Sequence, residues 1–180
     1  MNNSKKIHDM VLTAVMTAVL CVLAPLSLPI GPVPISLATL ILYFTAYILG
    51  IKKSALSVIL YLIIGAVGLP VFSSYGSGLA KLFGPTGGYL IGYMPMVVIT
   101  AAFDKYFKGK PLFNFIGMMI STAVLLIFGT IWLKISADMT WEAALTAGVI
   151  PFLVGDFIKI IVALIFAPML IKRLKAANLM

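Results

Sequence analysis

Residues 36–70 read SLATLILYFTAYILGIKKSALSVILYLIIGAVGLP, two apolar runs divided by Lys52 and Lys53. The lysines separate segments near 36–51 and 54–70, and a run of about 20 apolar residues crosses a bilayer as a helix. The first of these is short, which predicts tilt or burial inside protein rather than a full lipid-facing crossing. Working outward, the same pattern recurs near 10–29, 87–103, 112–134 and 147–171, the run at 87–103 also being short. The reading is an all-α integral membrane protein, a single domain over residues 1–180 with six transmembrane helices.

Composition agrees. The chain is 62% hydrophobic and 10% charged, with mean hydropathy +1.16, whereas a soluble domain carries roughly a quarter charged residues. Six spans use about two thirds of the chain, so a separate soluble, catalytic or nucleotide-binding domain has no room.

The net charge of +8 does not describe a nucleic-acid binder, because the charges sit in small clusters between apolar runs. With both termini on one side, that side receives Lys5, Lys6, Lys52, Lys53, Lys105, Lys108, Lys110, Lys172, Arg173 and Lys175. The other receives Lys81 and Lys134. Cytoplasmic loops carry the excess of Lys and Arg, so both termini are expected to be cytoplasmic. Lys5 and Lys6 before an apolar run resemble a signal peptide, yet no small-x-small site precedes polar sequence; a retained helix is expected. Cys21 lacks a disulfide or metal-ligand companion and reads as a small buried residue, and His8 as solvated.

The outward connections differ in character. PIGPVPIS (29–36) is uncharged and stiffened by Pro29, Pro32 and Pro34. VFSSYGSGLAKLFGPTGGY (71–89) is long, with Tyr75, Leu79, Leu82, Phe83 and Tyr89 as anchors between glycines. Long loops in compact proteins are functional or disordered, and this composition favours an ordered binding lid. Its GSGLAKLFG segment fails the GxxxxGK[ST] phosphate pattern, since Leu82 follows Lys81. Gly84, Gly88 and Gly92 suit close helix packing, and Gly87 and Gly88 also free amides toward a ligand. Trp132 and Trp141 fall where an interfacial aromatic belt is expected, and Asp138 and Glu142 read as solvated. Ala14 and Ala18, one turn apart, make a flat stripe open to another backbone.

The costly residues are Asp156 and Lys159, inside PFLVGDFIKIIVALIFAPMLI (151–171). Each costs about 2.5–3.5 kcal/mol at a helix centre. Spaced i to i+3 they share a face, so a structural ion pair is one reading. Intramembrane ionisable groups are functional by default, which favours a pocket beneath the lid for a small amphipathic ligand. No nucleophile–base pair or metal cluster accompanies them, so no catalytic residue is assigned.

The runs GPVPISLATL, YILGIKKSALSVILYLIIGAVGLPVF, LFGPTGGYLIGY and GVIPFLVGDFIK resemble the BioY family, the biotin-specific capture (S) subunits of energy-coupling-factor (ECF) vitamin transporters. The resemblance spans nearly the whole chain, with GPTGGY and PFxxGDxxK its most specific parts. It implies an S-component fold with cytoplasmic termini, biotin captured from outside the cell membrane, and no ATPase or cofactor of its own. By position, Asp156 would accept a ureido N–H of biotin and Lys159 would donate to the ureido carbonyl or the valerate carboxylate. Ser73, Ser74 and Tyr89 are candidate lid contacts. Ala14 and Ala18 would dock a transmembrane coupling subunit that sits with two ATPase subunits. The chain departs at Ala38, where many relatives carry Gln, and at Ile51, Lys52 and Lys53. Rival readings are an S subunit for thiamine or riboflavin, a membrane-embedded lipid-modifying enzyme, and a scaffold protein.

Overall fold

The computed structural model describes residues 3–29 and 32–177. Met1, Asn2, Ile30, Gly31 and residues 178–180 lie outside the described residues, and with them the tip of the Pro-rich connection and both ends of the expected domain.

Helix α1 (Asn3–Leu23) is followed by a short antiparallel hairpin of β1 (Ser27–Leu28) and β2 (Ile35–Ser36). The first run therefore stops being helical well before residue 29. Pro25 disfavours helical geometry in the residue before it, and Ser27 and Leu28 pair with Ser36 and Ile35 instead. Helix α2 (Ala38–Ala66) follows. The lid carries a 3₁₀ turn at Ser73–Tyr75 and a short helix α3 (Gly78–Phe83) before α4 (Gly87–Tyr106). Then come α5 (Pro111–Ser136), α6 (Trp141–Gly148) and α7 (Ile150–Ala176).

Five of these stretches are long and apolar enough to cross a membrane, and the second supplies two of the expected six segments. Gly50, with φ 67° and ψ −179°, breaks α2 in the middle. The turning point is thus Gly50, not the Lys52–Lys53 pair, which lies in the first turn of the second half. Contacts along α1 establish the reversal: Lys53 pairs with Asp9 at 2.7 Å, Ser57 with Thr17 at 2.9 Å, and Ser74, beyond the helix, with Ser27 at 3.0 Å. The second half of α2 therefore runs alongside α1 in the same direction. The first half runs opposite, with Thr39 against the start of α7 and Tyr47 in a cavity with the end of α4. Leu12 and Leu174 join one apolar cluster, so the start of α1 and the end of α7 share a face of the bundle.

Between 38 and 49, ten of twelve residues are buried, so this half-helix is a central post wrapped by protein, as its shortness implies. Two of its hydroxyls bond inside the bundle. Thr45 donates to Ile41 O at 2.8 Å, and Tyr43 bonds Thr122 of α5. Elsewhere Thr100 and Ser121 tie α4 to α5 at 2.9 Å; such bonds between membrane helices contribute about 0.6 kcal/mol on average.

Helices α4 and α5 approach closely because of glycine. A Cβ on Gly88 would collide with Trp132 and the Phe128 carbonyl, one on Gly92 would meet Leu125, and one on Gly129 would enter the Tyr89 ring. Trp132 is half-buried, and its indole donates to Gly84 O at 2.9 Å. It anchors the end of the lid. Trp141 remains exposed on α6. Thr140 caps α6 by accepting from Ala143 N at 3.3 Å. Gly148 then lets the chain pass Tyr89 and Thr130, where a side chain would collide.

Candidate binding site

Helix α7 opens with Pro151 in its first turn, a position that tolerates the missing N–H. One and a half turns on, Asp156 and Lys159 face the first turn of α2. Lys159 Nζ donates to Asp156 Oδ1 at 3.0 Å and to Thr39 Oγ1 at 2.9 Å, while Thr39 donates to Asp156 Oδ1 at 3.2 Å. The three groups close a triangle in which each touches the other two. Asp156 is 2% exposed and the Lys159 side chain 11%.

The triangle leaves one atom over. Asp156 Oδ2 is buried and has no hydrogen-bond partner. A buried acceptor left unmade costs about 1–3 kcal/mol, more when charged, so a donor is wanted there.

A cavity of about 30 Å³ adjoins the triangle. Val33, Pro34 and Ser36 of the first connection and hairpin line one side, and Ser73 of the lid covers it. Thr86, Tyr89, Leu90 and Tyr93 bring the start of α4, and Phe152 closes the α7 side. Tyr89 stacks on Phe152 with ring centres 5.9 Å apart, its hydroxyl donating to Gly148 O at 2.8 Å. A second cavity of about 130 Å³ lies between α5 and α7, with Asp156 and Leu126 common to both. The carboxylate thus stands between two voids, one semi-polar and one apolar.

Of the residues singled out in sequence, Asp156, Lys159, Tyr89 and Ser73 line the first cavity. Gly87, Gly88 and Ser74 do not. A Cβ on Gly87 would strike the Leu82 carbonyl, so these glycines serve contact with the lid and α5. Ser74, at φ 56°, straps the lid to the hairpin: its N–H reaches Ser27 Oγ at 2.9 Å, and its hydroxyl bonds the same oxygen at 3.0 Å. Ala14 and Ala18 lie on the open face of α1. Thr39 carries no such mark in the sequence. Its partners are 117 and 120 residues away, and the only local hint is a hydroxyl just inside an apolar run.

The geometry offers one buried anion with a free lone pair, one cation beside it, and aromatic walls. No group of His, Cys, Asp and Glu among the described residues could hold a metal ion.

The BioY family model matches residues 1–176. The chain belongs to the BioY family. Among similar proteins, the biotin transporter BioY2 of Lactococcus lactis subsp. cremoris is 36% identical over 173 residues, covering 96% of this chain and 95% of that one. The probable biotin transporter BioY of Pyrococcus horikoshii is 33% identical, covering 90% and 95%. A crystal structure of the S-component for biotin from an ECF-type ABC transporter superposes with a TM-score of 0.88 at 29% identity, covering 96% of this chain and 95% of that one. The BioY fold here is accordingly that of an ECF S-component, a helical membrane bundle.

Proposed function

We propose that the chain captures biotin at the outer face of the cell membrane and delivers it to an ATP-driven uptake transporter. The observation that carries this reading is the unpartnered Asp156 Oδ2 beside Lys159, under a lid, in a chain of the BioY family. Asp156 accepts a ureido N–H. Lys159 supplies a donor for the ureido carbonyl or the valerate carboxylate, and Tyr89 and Phe152 present apolar surface to the ring system. The chain itself is a capture subunit without catalysis, working as one six-helix domain with both termini in the cytoplasm.

Sites for drug-sized ligands occupy about 300–1,000 Å³, and the cavity beside Asp156 is about 30 Å³. Biotin therefore enters only when the lid and hairpin separate from the bundle, and the Ser27–Ser74 strap is among the contacts that must yield. Isothermal titration in detergent tests the reading: biotin binds, while thiamine and riboflavin at a hundredfold excess do not compete. Binding of either in place of biotin would transfer the site to another vitamin.

Energy comes from partners: a transmembrane coupling subunit with two ATPase subunits. Ala14 lines an apolar groove of about 430 Å³ with Met10, Leu56 and Leu60, flanked by Lys6, Asp9 and Lys53. Ala18 continues its exposed face one turn on. Replacing both alanines by Trp is expected to leave biotin affinity unchanged in detergent and to reduce cellular uptake more than tenfold. Undiminished uptake would remove this face from the docking surface.

A further inference from the structure

On the face opposite the lid, the structure holds a cavity of about 520 Å³, far roomier than the one at Asp156 and within the size range of small-ligand sites. Four segments meet there: the end of the first half of α2 with Tyr47, the end of α4 with Asp104, the α4–α5 turn with Lys108, and the last turns of α7 with Lys172 and Lys175. Pro168 and Ile171 give it an apolar flank. Its charge is lopsided, with three ammonium groups against one carboxylate.

A buried amide points to an occupant. Asn114 sits in the first turn of α5, is 4% exposed, and lines the cavity. Its Nδ2 donates to Asp104 Oδ1 at 2.9 Å, and its Oδ1 is buried without a partner. Asp104 O also receives the Gly109 N–H at 2.9 Å, which holds the Lys108–Gly109 turn in left-handed geometry beside the cavity. The positive end of the α5 dipole lies at the same place, and an anion is favoured there.

Cations around a cavity with an unanswered acceptor call for a phosphate ester that carries its own donor. A lipid headgroup and a soluble glycerol phosphate share that chemistry. The cavity opens at the lysine-rich ends of membrane helices, where headgroups lie, and basic pockets between helices on that side hold lipid headgroups. We propose that this cavity binds the headgroup of an anionic glycerophospholipid bearing a free hydroxyl, with Lys108, Lys172 and Lys175 on the phosphate and Asn114 Oδ1 accepting from the hydroxyl. The site stands apart from the biotin reading and does not depend on it.

The test uses the full chain in zwitterionic detergent, titrated with short-chain phosphatidylglycerol and followed by native mass spectrometry. Phosphatidylcholine, phosphatidylmethanol, glycerol 1-phosphate and inorganic phosphate are run alongside. Phosphatidylglycerol is expected to bind tightest, with phosphatidylmethanol several-fold weaker because it has no headgroup hydroxyl. Lys172→Gln and Lys175→Gln each weaken binding about fivefold and together about twenty-five-fold. These side chains are exposed, so folding is not at stake. Lys105→Gln, outside the lining, leaves the affinity unchanged. Equal binding of phosphatidylcholine, or undiminished binding by the double variant, would overturn the site. Glycerol 1-phosphate binding as tightly as the lipid would overturn the lipid assignment, and equal affinity for phosphatidylmethanol the role of Asn114.

Discussion

Asp156→Asn is expected to weaken biotin binding by about a hundredfold or more. Hydrogen bonds to charged groups contribute about 1.5–3 kcal/mol, roughly ten- to a hundredfold in affinity. The substitution also turns an acceptor into a donor, which opposes a ureido N–H. It leaves the Lys159 ammonium, bonded to Oδ1 at 3.0 Å, without its anion, and removing one partner of a buried pair costs about 3–5 kcal/mol. Loss of binding could therefore reflect a damaged fold, and the double variant Asp156→Asn with Lys159→Met separates the two causes. With no buried charge left, its thermal unfolding in detergent should return toward that of the parent, while biotin binding stays about a hundredfold or more weaker. Parental affinity in the single variant would dismiss Asp156 from the site.

Gly50→Ala should destabilise the protein by about 2–3 kcal/mol, near the upper end for a single strained residue. Gly50 has φ 67° and ψ −179°, a region essentially restricted to glycine. Beyond its own stretch of chain, no atom lies within 4 Å of where its Cβ would stand, so the penalty comes from the backbone and more distant side chains cannot relieve it. Gly155→Ala is the matched control. Its Cβ would meet only Ile35, at 3.8 Å, and its φ is ordinary. The readout is the thermal unfolding shift of the two variants in one detergent. Equal shifts would show that the bend in α2 tolerates any residue.

The general architecture is legible in sequence because lipid makes simple demands. Apolar runs of sufficient length and lysines gathered on alternate connections specify the number of segments. The details that escape involve residues whose role depends on distant neighbours. Lys52 and Lys53 look like a break, yet they continue a helix, and the glycine before them makes the turn. Hydropathy carries the first span to residue 29, whereas Pro25 and the pairing of β1 with β2 end α1 at Leu23. Trp132 has the position of a belt residue, but the Gly84 carbonyl and the flat face of Gly88 draw it inward.

The site divides in the same way. Two charges in an apolar run are conspicuous from composition alone. Thr39, which bonds both of them, is one hydroxyl among many, and only the fold brings it to α7. Gly87 and Gly88 lie in a sequence rich in backbone freedom, which suggests ligand contact. In the fold it is their missing side chains that count, allowing the close passage of Leu82 and Trp132.

Twelve helical residues, from Ala38 to Leu49, rise about 18 Å, well short of the roughly 30 Å of bilayer hydrocarbon. Such a segment has no resting place of its own while the chain is being inserted. It gains one only when later-synthesised helices surround it, and the last of these brings Asp156 to Thr39. On the proposed binding mode, capture would be the last competence the polypeptide gains, because the two halves of the site meet only once α7 is in place.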